Sequence, residues 1–170
     1  LSYRSRVKYD LTGDINITGP SPALNASRSS NARADLELPD TFILSGTHQL
    51  SDKVQLLGDL SWTGWSSIPK LDILRTSGAL AGQIAQTLDT DFRDSTRVAV
   101  GVNYQYRGDL KLKFGVAYDQ TPVKGASTRL VSLPDNDRTW LSGGAQWTVG
   151  KGGVLDIGAT YLLLNNSQID

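Results

Sequence analysis

The sequence predicts an all-β fold, an antiparallel up-and-down transmembrane β-barrel, and three observations carry that expectation. Apolar residues recur with a period of two in seven segments, the links between those segments alternate short and long, and aromatic residues gather at both segment ends.

The first segment, 1–11, places Leu1, Tyr3, Val7, Tyr9 and Leu11 at odd positions, with Ser2, Arg4, Arg6, Lys8 and Asp10 between them. Successive side chains of a strand point to opposite faces, so this segment has one greasy face and one charged face. In 41–50, Phe42, Leu44, Gly46 and Leu50 alternate with Ser45, Thr47 and Gln49. In 54–65, Val54, Leu56, Leu60 and Trp62 alternate with Gln55, Asp59, Ser61 and Thr63. Segment 95–106 alternates Val98, Val100, Val102, Tyr104 and Tyr106 with Arg97, Ala99, Gly101, Asn103 and Gln105. Segment 110–120 sets Leu110, Leu112, Phe114, Val116 and Tyr118 against Lys111, Lys113, Gly115, Ala117 and Asp119. The last two, 138–149 and 154–164, oppose Leu141, Ala145, Trp147 and Val149 to Ser142, Gly144 and Gln146, and Leu155, Ile157, Ala159, Tyr161 and Leu163 to Asp156, Gly158 and Thr160.

The links Ser51-Asp52-Lys53, Arg107-Gly108-Asp109 and Gly150–Gly153 read as tight turns, whereas 12–40, 66–94 and 121–137 are long. Strict alternation in a meander puts all short turns at one end and all long loops at the other. Outer-membrane barrels have that layout, with short periplasmic turns and long extracellular loops. Tyr9, Trp62, Trp65, Tyr118 and Tyr161 fall toward the long-loop end, and Tyr3, Tyr104, Tyr106 and Trp147 toward the other. Amphipathic rings prefer the headgroup layer, so two bands fit a membrane interface on each side.

Composition narrows the alternatives. The 170 residues carry 17 basic and 17 acidic side chains, so the basic excess of a nucleic-acid binder is missing. Zero cysteines remove disulfide scaffolds and thiolate chemistry. No run reaches the roughly 18 consecutive apolar residues of a membrane helix. A soluble β-sandwich would also alternate, but the polar face here is small as well as charged, with Gly101, Gly115, Ala117, Gly144 and Gly158, which suits a crowded lumen. Seven strands are an odd number where single-chain bacterial barrels have even ones, and an open edge in lipid leaves backbone groups unpaired. The chain, which also has no methionine, therefore reads as an internal portion of a larger barrel, 1–170 forming one domain.

The run Leu133-Pro134-Asp135-Asn136-Asp137-Arg138-Thr139-Trp140, followed by Leu141-Ser142-Gly143-Gly144, resembles the FadL/TodX family of outer-membrane transporters of long-chain fatty acids and aromatic hydrocarbons. Leu38-Pro39-Asp40-Thr41, the stretch Asp59–Trp65, Arg97-Val98-Ala99-Val100-Gly101 and Phe114–Asp119 are similar to it in the same order. The resemblance implies a fourteen-stranded barrel, this chain being its C-terminal half without the final strand and without the N-terminal plug. It implies passive uptake of a hydrophobic ligand, a long-chain fatty acid first and a hydrocarbon second, through the outer membrane of a Gram-negative bacterium. The partners implied are that ligand, outer-membrane lipid and lipopolysaccharide around a monomeric barrel, with no nucleic acid, cofactor, metal or catalytic residue. A general porin is the further alternative.

Candidate ligand contacts follow. Residues 76–92 leave the alternating pattern, and Leu80, Ile84 and Leu88 recur at every fourth position, predicting a short amphipathic helix over the mouth that ends at Phe92. Inward basic candidates are Arg4, Arg6, Lys8, Arg97, Lys111, Lys113 and Arg138, against Asp10, Asp59, Asp119 and Asp156. A ligand carboxylate would find charge-assisted partners among them, although pairing across strands is the competing use. The resemblance adds that a basic residue just before the Arg97-Val98-Ala99 strand helps hold the ligand head group, and Arg93 is the nearest one. The tripeptide Arg107-Gly108-Asp109 and the run Gly150-Lys151-Gly152-Gly153 read as turns. The sequons at Asn16, Asn25 and Asn165 carry no role in a bacterium, Asp135-Asn136-Asp137 reads as a loop paired to Arg138, and the single histidine, His48, has no companion ligands.

Overall fold

Alternation becomes ladder pairing in all seven predicted segments, with one break in the first. The computed structural model describes residues 1–125, 135–150 and 152–164. The strands are β1 (Ser2–Arg4), β2 (Val7–Ile15), β3 (Ser30–Leu38), β4 (Thr41–Ser51), β5 (Val54–Thr63), β6 (Lys70–Arg75), β7 (Ile84–Asp89), β8 (Ser95–Arg107), β9 (Leu110–Asp119), β10 (Arg138–Val149) and β11 (Gly153–Leu164). Helix α1 (Pro22–Arg28) and a 3-10 turn at Trp65–Ser67 complete the described elements. Leu133 and Pro134 of the family-like run, Lys151 of the last turn and the sequon at Asn165 lie outside the described residues.

The main sheet is an antiparallel meander in the order β1-β4-β5-β8-β9-β10-β11. Its strands of 10 to 13 residues from β4 onward match or slightly exceed the roughly 9 to 11 residues of a tilted membrane crossing. A second sheet, β2-β3-β6-β7, is built from the end of the first predicted segment and from what the sequence leaves as long links. It prolongs the hairpins of the first. Val7 faces Leu38 with the same pairing offset by which Tyr3 faces Phe42, and the ladder lapses only between. Pro39 sits in that gap and has no N–H to donate, which accounts for the lapse. Arg6 instead bonds Asp40 through its side chain at 3.3 Å.

The break corrects two expectations. The first segment does not run unbroken from 1 to 11, because β2 leaves the main sheet for the second. Arg6, Lys8 and Asp10 therefore do not line the lumen of the main sheet; Arg6 and Lys8 each lie 3.5 Å from Glu37 of β3. The helix expected over 76–92 is also absent. Residues 70–89 form a hairpin in which Leu71 faces Leu88 and Lys70 faces Asp89. Gly78 and Gly82 take φ of +76° and +84°, a left-handed geometry that a turn accepts and a helix does not. Strand pairing with β6 thus overrides a four-residue apolar spacing that is only three residues deep.

The two sheets do not stack on one another among the described residues. Ala32, Ile68, Ala117 and Val123 are the buried apolar residues there, and no large side chain is fully enclosed. The greasy face of the main sheet lies open instead, with Val100 61%, Ile157 66% and Tyr161 66% exposed. Such a surface is intolerable in water and is what a hydrocarbon-facing wall presents. Tyr3, Phe42 and Trp62 form one cross-strand row at the long-loop end. At the short-turn end Tyr104 and Tyr106 lie 6.5 Å apart, and Trp147 Nε1 donates to Asp109 at 2.9 Å. Tyr3 therefore belongs to the upper band rather than the lower, while Tyr9 stands on the second sheet and Trp65 in the turn above β5.

Candidate functional site

The inner face of the main sheet is layered by register. Ser61, Arg97, Asp119 and Arg138 are partners in one row across β5, β8, β9 and β10. The next row toward the short turns is Asp59, Ala99, Ala117 and Trp140. Charge therefore gathers in the rim row at the long-loop end, and directly below it Ala99 and Ala117 lie between Asp59 and the Trp140 ring.

A cavity of about 560 Å³ opens over the charged row. Four regions of chain supply it: the end of β5 with its 3-10 turn, the link into β8, the end of β9 and the start of β10. Its apolar wall is Trp65 and Phe92, whose rings meet edge-on at 6.0 Å and 84°, with Pro122 and Val123 opposite. Aromatic pairs favour this edge-to-face arrangement. Ser66 holds the link in place by donating its backbone N–H to Asp94 at 3.0 Å, and hydrogen bonding from Ser66 keeps the Asp94 carboxyl below its ordinary range.

The cations around the cavity are not equivalent. Arg138 hydrogen-bonds Asp135 and lies 3.9 Å from Asp119. Arg93 donates from Nε to the Thr121 carbonyl at 3.1 Å and lies 3.8 Å from Asp137. Asp137 in turn accepts from the Tyr118 hydroxyl at 2.6 Å and from the Thr121 N–H at 2.8 Å, and Thr121 Oγ1 donates to Asp135 at 2.8 Å. Burial pushes the Asp135 carboxyl up, but the hydrogen bonds from Arg138 and Thr121 outweigh it, leaving the group below the ordinary carboxylate range. Arg97 makes no ion pair among the described residues, although Asp119 faces it across the ladder. Its guanidinium is the uncommitted charge at the rim.

The structure brings together three of the seven residues singled out from the sequence. Phe92, Arg97 and Arg138 line the cavity, and Arg93 braces its rim from behind. Leu80, Ile84 and Leu88 do not reach it: Leu80 is in the β6–β7 turn region, and Ile84 and Leu88 are on β7, Ile84 being 53% exposed. Sequence reasoning missed Trp65, Thr121, Pro122 and Val123. Trp65 read as part of an aromatic band, and the other three lie in a link without periodicity, so no local signal marked them.

A family profile described as "Outer membrane protein transport protein (OMPP1/FadL/TodX)" matches residues 1–170. The "Long-chain fatty acid transport protein" of Escherichia coli is 33% identical over 176 residues, which cover 95% of this chain and 38% of that protein. The crystal structure of a Pseudomonas aeruginosa FadL homologue superimposes with a TM-score of 0.76 at 28% identity, covering 94% of this chain and 38% of that one. The Ralstonia pickettii toluene transporter TbuX shares the fold, with a TM-score of 0.60 at 19% identity over 95% of this chain and 37% of its own. The chain thus spans well under half the length of the relatives it matches.

Proposed function

The chain belongs to the OMPP1/FadL/TodX family of outer membrane transport proteins, and from that premise we propose that it forms part of the wall and mouth of a channel for passive uptake of hydrophobic molecules, with long-chain fatty acids as the ligand. The family is one of transport channels rather than enzymes. Lipid and lipopolysaccharide surround the greasy face as its solvent, and the barrel works as a monomer.

One observation carries the ligand assignment. Arg97 presents a guanidinium with no ion-pair partner among the described residues in the same cavity as the Trp65–Phe92 pair. A molecule with an alkyl chain and a carboxylate answers both features, since apolar burial and a charge-assisted hydrogen bond then act together. A neutral hydrocarbon answers only the first and leaves the cation without a partner. Arg138 and Arg93 serve a different purpose, fastening the links that form the rim.

The test is uptake of radiolabelled laurate and radiolabelled toluene by cells carrying the intact gene, compared with cells in which it is disrupted. Gene-dependent uptake of laurate is the expected result. Gene-dependent uptake of toluene alone would replace the fatty acid by a monoaromatic ligand, and loss of neither would remove the transport reading.

A further inference from the structure

The rim cavity holds polar groups that a plain fatty acid leaves unused. Ser61 faces Arg97 and Thr63 faces Ser95 across the β5–β8 ladder, and all four residues line the cavity. Directly opposite residues have Cβ atoms about 5 Å apart, and successive rows on one face lie about 7 Å apart, so three hydroxyls gather beside the guanidinium. Among the described residues the hydroxyls of Ser61, Thr63 and Ser95 make no hydrogen bond. Ser95 is nevertheless buried, with 8% of its surface exposed. The enclosed side-chain atoms that lack a partner among the described residues are on Ser67 and Trp140, so the Ser95 hydroxyl opens onto the cavity rather than into packed side chains.

Thr121 provides the contrast. It lines the same cavity and is 6% exposed, but its hydroxyl donates to Asp135 at 2.8 Å and accepts from the Val123 N–H at 3.2 Å. The hydroxyls on β5 and β8 have no such engagement, and a sheltered hydroxyl without a partner costs free energy that an oxygen on the ligand recovers. Their position is also ordered. Running outward along β5 and its 3-10 turn, the residues at the cavity are Ser61, Thr63 and Trp65; running back along β8 into its link they are Arg97, Ser95 and Phe92. The cavity therefore presents a guanidinium, then a hydroxyl pair, then the aromatic pair.

We propose that this order selects a hydroxylated fatty acid, an alkanoate with a hydroxyl group a few carbons from its carboxylate, over the plain acid. The inference rests on the reading of Arg97 as the partner of the ligand carboxylate. With the carboxylate at Arg97 and the alkyl chain at Trp65 and Phe92, an oxygen near the carboxylate end lies at the Thr63–Ser95 row. A hydroxyl both donates and accepts, so the ligand oxygen can accept from one of the pair and donate to the other. Bare methylenes at that row leave both without a partner. A site built to hydrogen-bond a ligand hydroxyl discriminates against the analogue that lacks it, which an apolar pocket does only weakly.

The test titrates the intact gene product, purified in detergent, with laurate, 3-hydroxylaurate and 12-hydroxylaurate. The 3-hydroxy acid is expected to bind about fivefold more tightly than laurate, the size of one neutral hydrogen bond. The 12-hydroxy acid, whose hydroxyl falls at the aromatic end, is expected to bind no more tightly than laurate. S95A and T63V should each bring the ratio of 3-hydroxylaurate to laurate affinity close to one, and T63S should keep it. T47V, which removes an inward hydroxyl of β4 that faces Leu57 outside the cavity, should leave the ratio at its wild-type value. Equal affinity for laurate and 3-hydroxylaurate overturns the proposal and leaves the carboxylate reading standing. An equal gain for both hydroxy isomers, or a ratio unchanged in S95A or in T63V, overturns it as well. Gln120 also lines the cavity, and its amide makes no hydrogen bond among the described residues; loss of the preference in Q120L with retention in S95A moves the contact to that residue and overturns the assignment. If none of the three acids binds, the carboxylate reading falls and the hydroxyl preference falls with it.

Discussion

Lys113 Nζ and Asp156 Oδ1 lie 2.7 Å apart although the whole of β10 runs between their strands. The contact passes over Gly144, which faces Lys113 on one side and Gly158 on the other and offers no side chain in between. A Cβ placed on Gly144 would also meet the Ile157 carbonyl oxygen at 2.9 Å, a backbone atom that cannot swing aside. One glycine therefore permits both a close strand approach and a cross-strand ion pair.

Replacing that glycine is expected to disturb both. G144A should destabilise the β10–β11 pairing by about 1–3 kcal/mol, the usual cost of overpacking a fitted site. The thermal midpoint of the folded, heat-modifiable band in detergent reads the effect; a midpoint equal to wild type would show that the strands part freely.

The unequal commitment of the rim arginines predicts unequal phenotypes. R97Q should weaken laurate binding about tenfold, the size of one charge-assisted hydrogen bond, while leaving the folded fraction unchanged. R138Q should instead lower the folded fraction, because it strips Asp135 and Asp119 of their partner. Titration of purified protein with laurate, alongside gel migration before and after heating, separates the two.

The apolar wall has its own signature. Removing the Phe92 ring by F92A should cost about 1 kcal/mol or more of binding for any hydrophobic ligand, since the edge-on contact with Trp65 is lost along with buried area. Laurate and methyl laurate should weaken alike in F92A. A loss confined to laurate would mean that the ring acts through the charge.

Acid should loosen the rim. The Asp135 carboxyl is held below the ordinary carboxylate range in the folded protein, whose unfolded reference is about 3.9. Its contribution to stability is therefore complete above that reference and is lost as pH falls through the depressed folded value. Hydrogen exchange at the Thr121 amide, which donates to the neighbouring Asp137, should accelerate in that acid window beyond its intrinsic pH trend. In D135N the step should vanish.

Charges placed on the β6–β7 hairpin should matter little to binding. L80D and I84D alter side chains outside the rim cavity, so laurate affinity is expected within twofold of wild type. A large loss would restore the hairpin to the ligand path.

What was legible in the sequence was the part that a single strand carries by itself. A period of two places Val98, Val100 and Val102 on one face and Arg97, Ala99 and Gly101 on the other, whatever lies alongside. The seven segments follow from that local rule, their up-and-down order from the alternation of short and long links, and the outward direction of the greasy face from the small residues opposite it. Tertiary structure decided the rest. Arg93, Arg97 and Arg138 are the same residue type in similar stretches of sequence, yet only the register of β8, β9 and β10 and the fold of the links give two of them acidic partners and leave the third without an ion pair among the described residues. Likewise, the spacing of Leu80, Ile84 and Leu88 reads as helical until β6 offers a hydrogen-bonding edge. Alternation is a property of one backbone, whereas a cavity and its charge are set by which distant segments meet, and those meetings depend on pairing energies that no isolated segment contains.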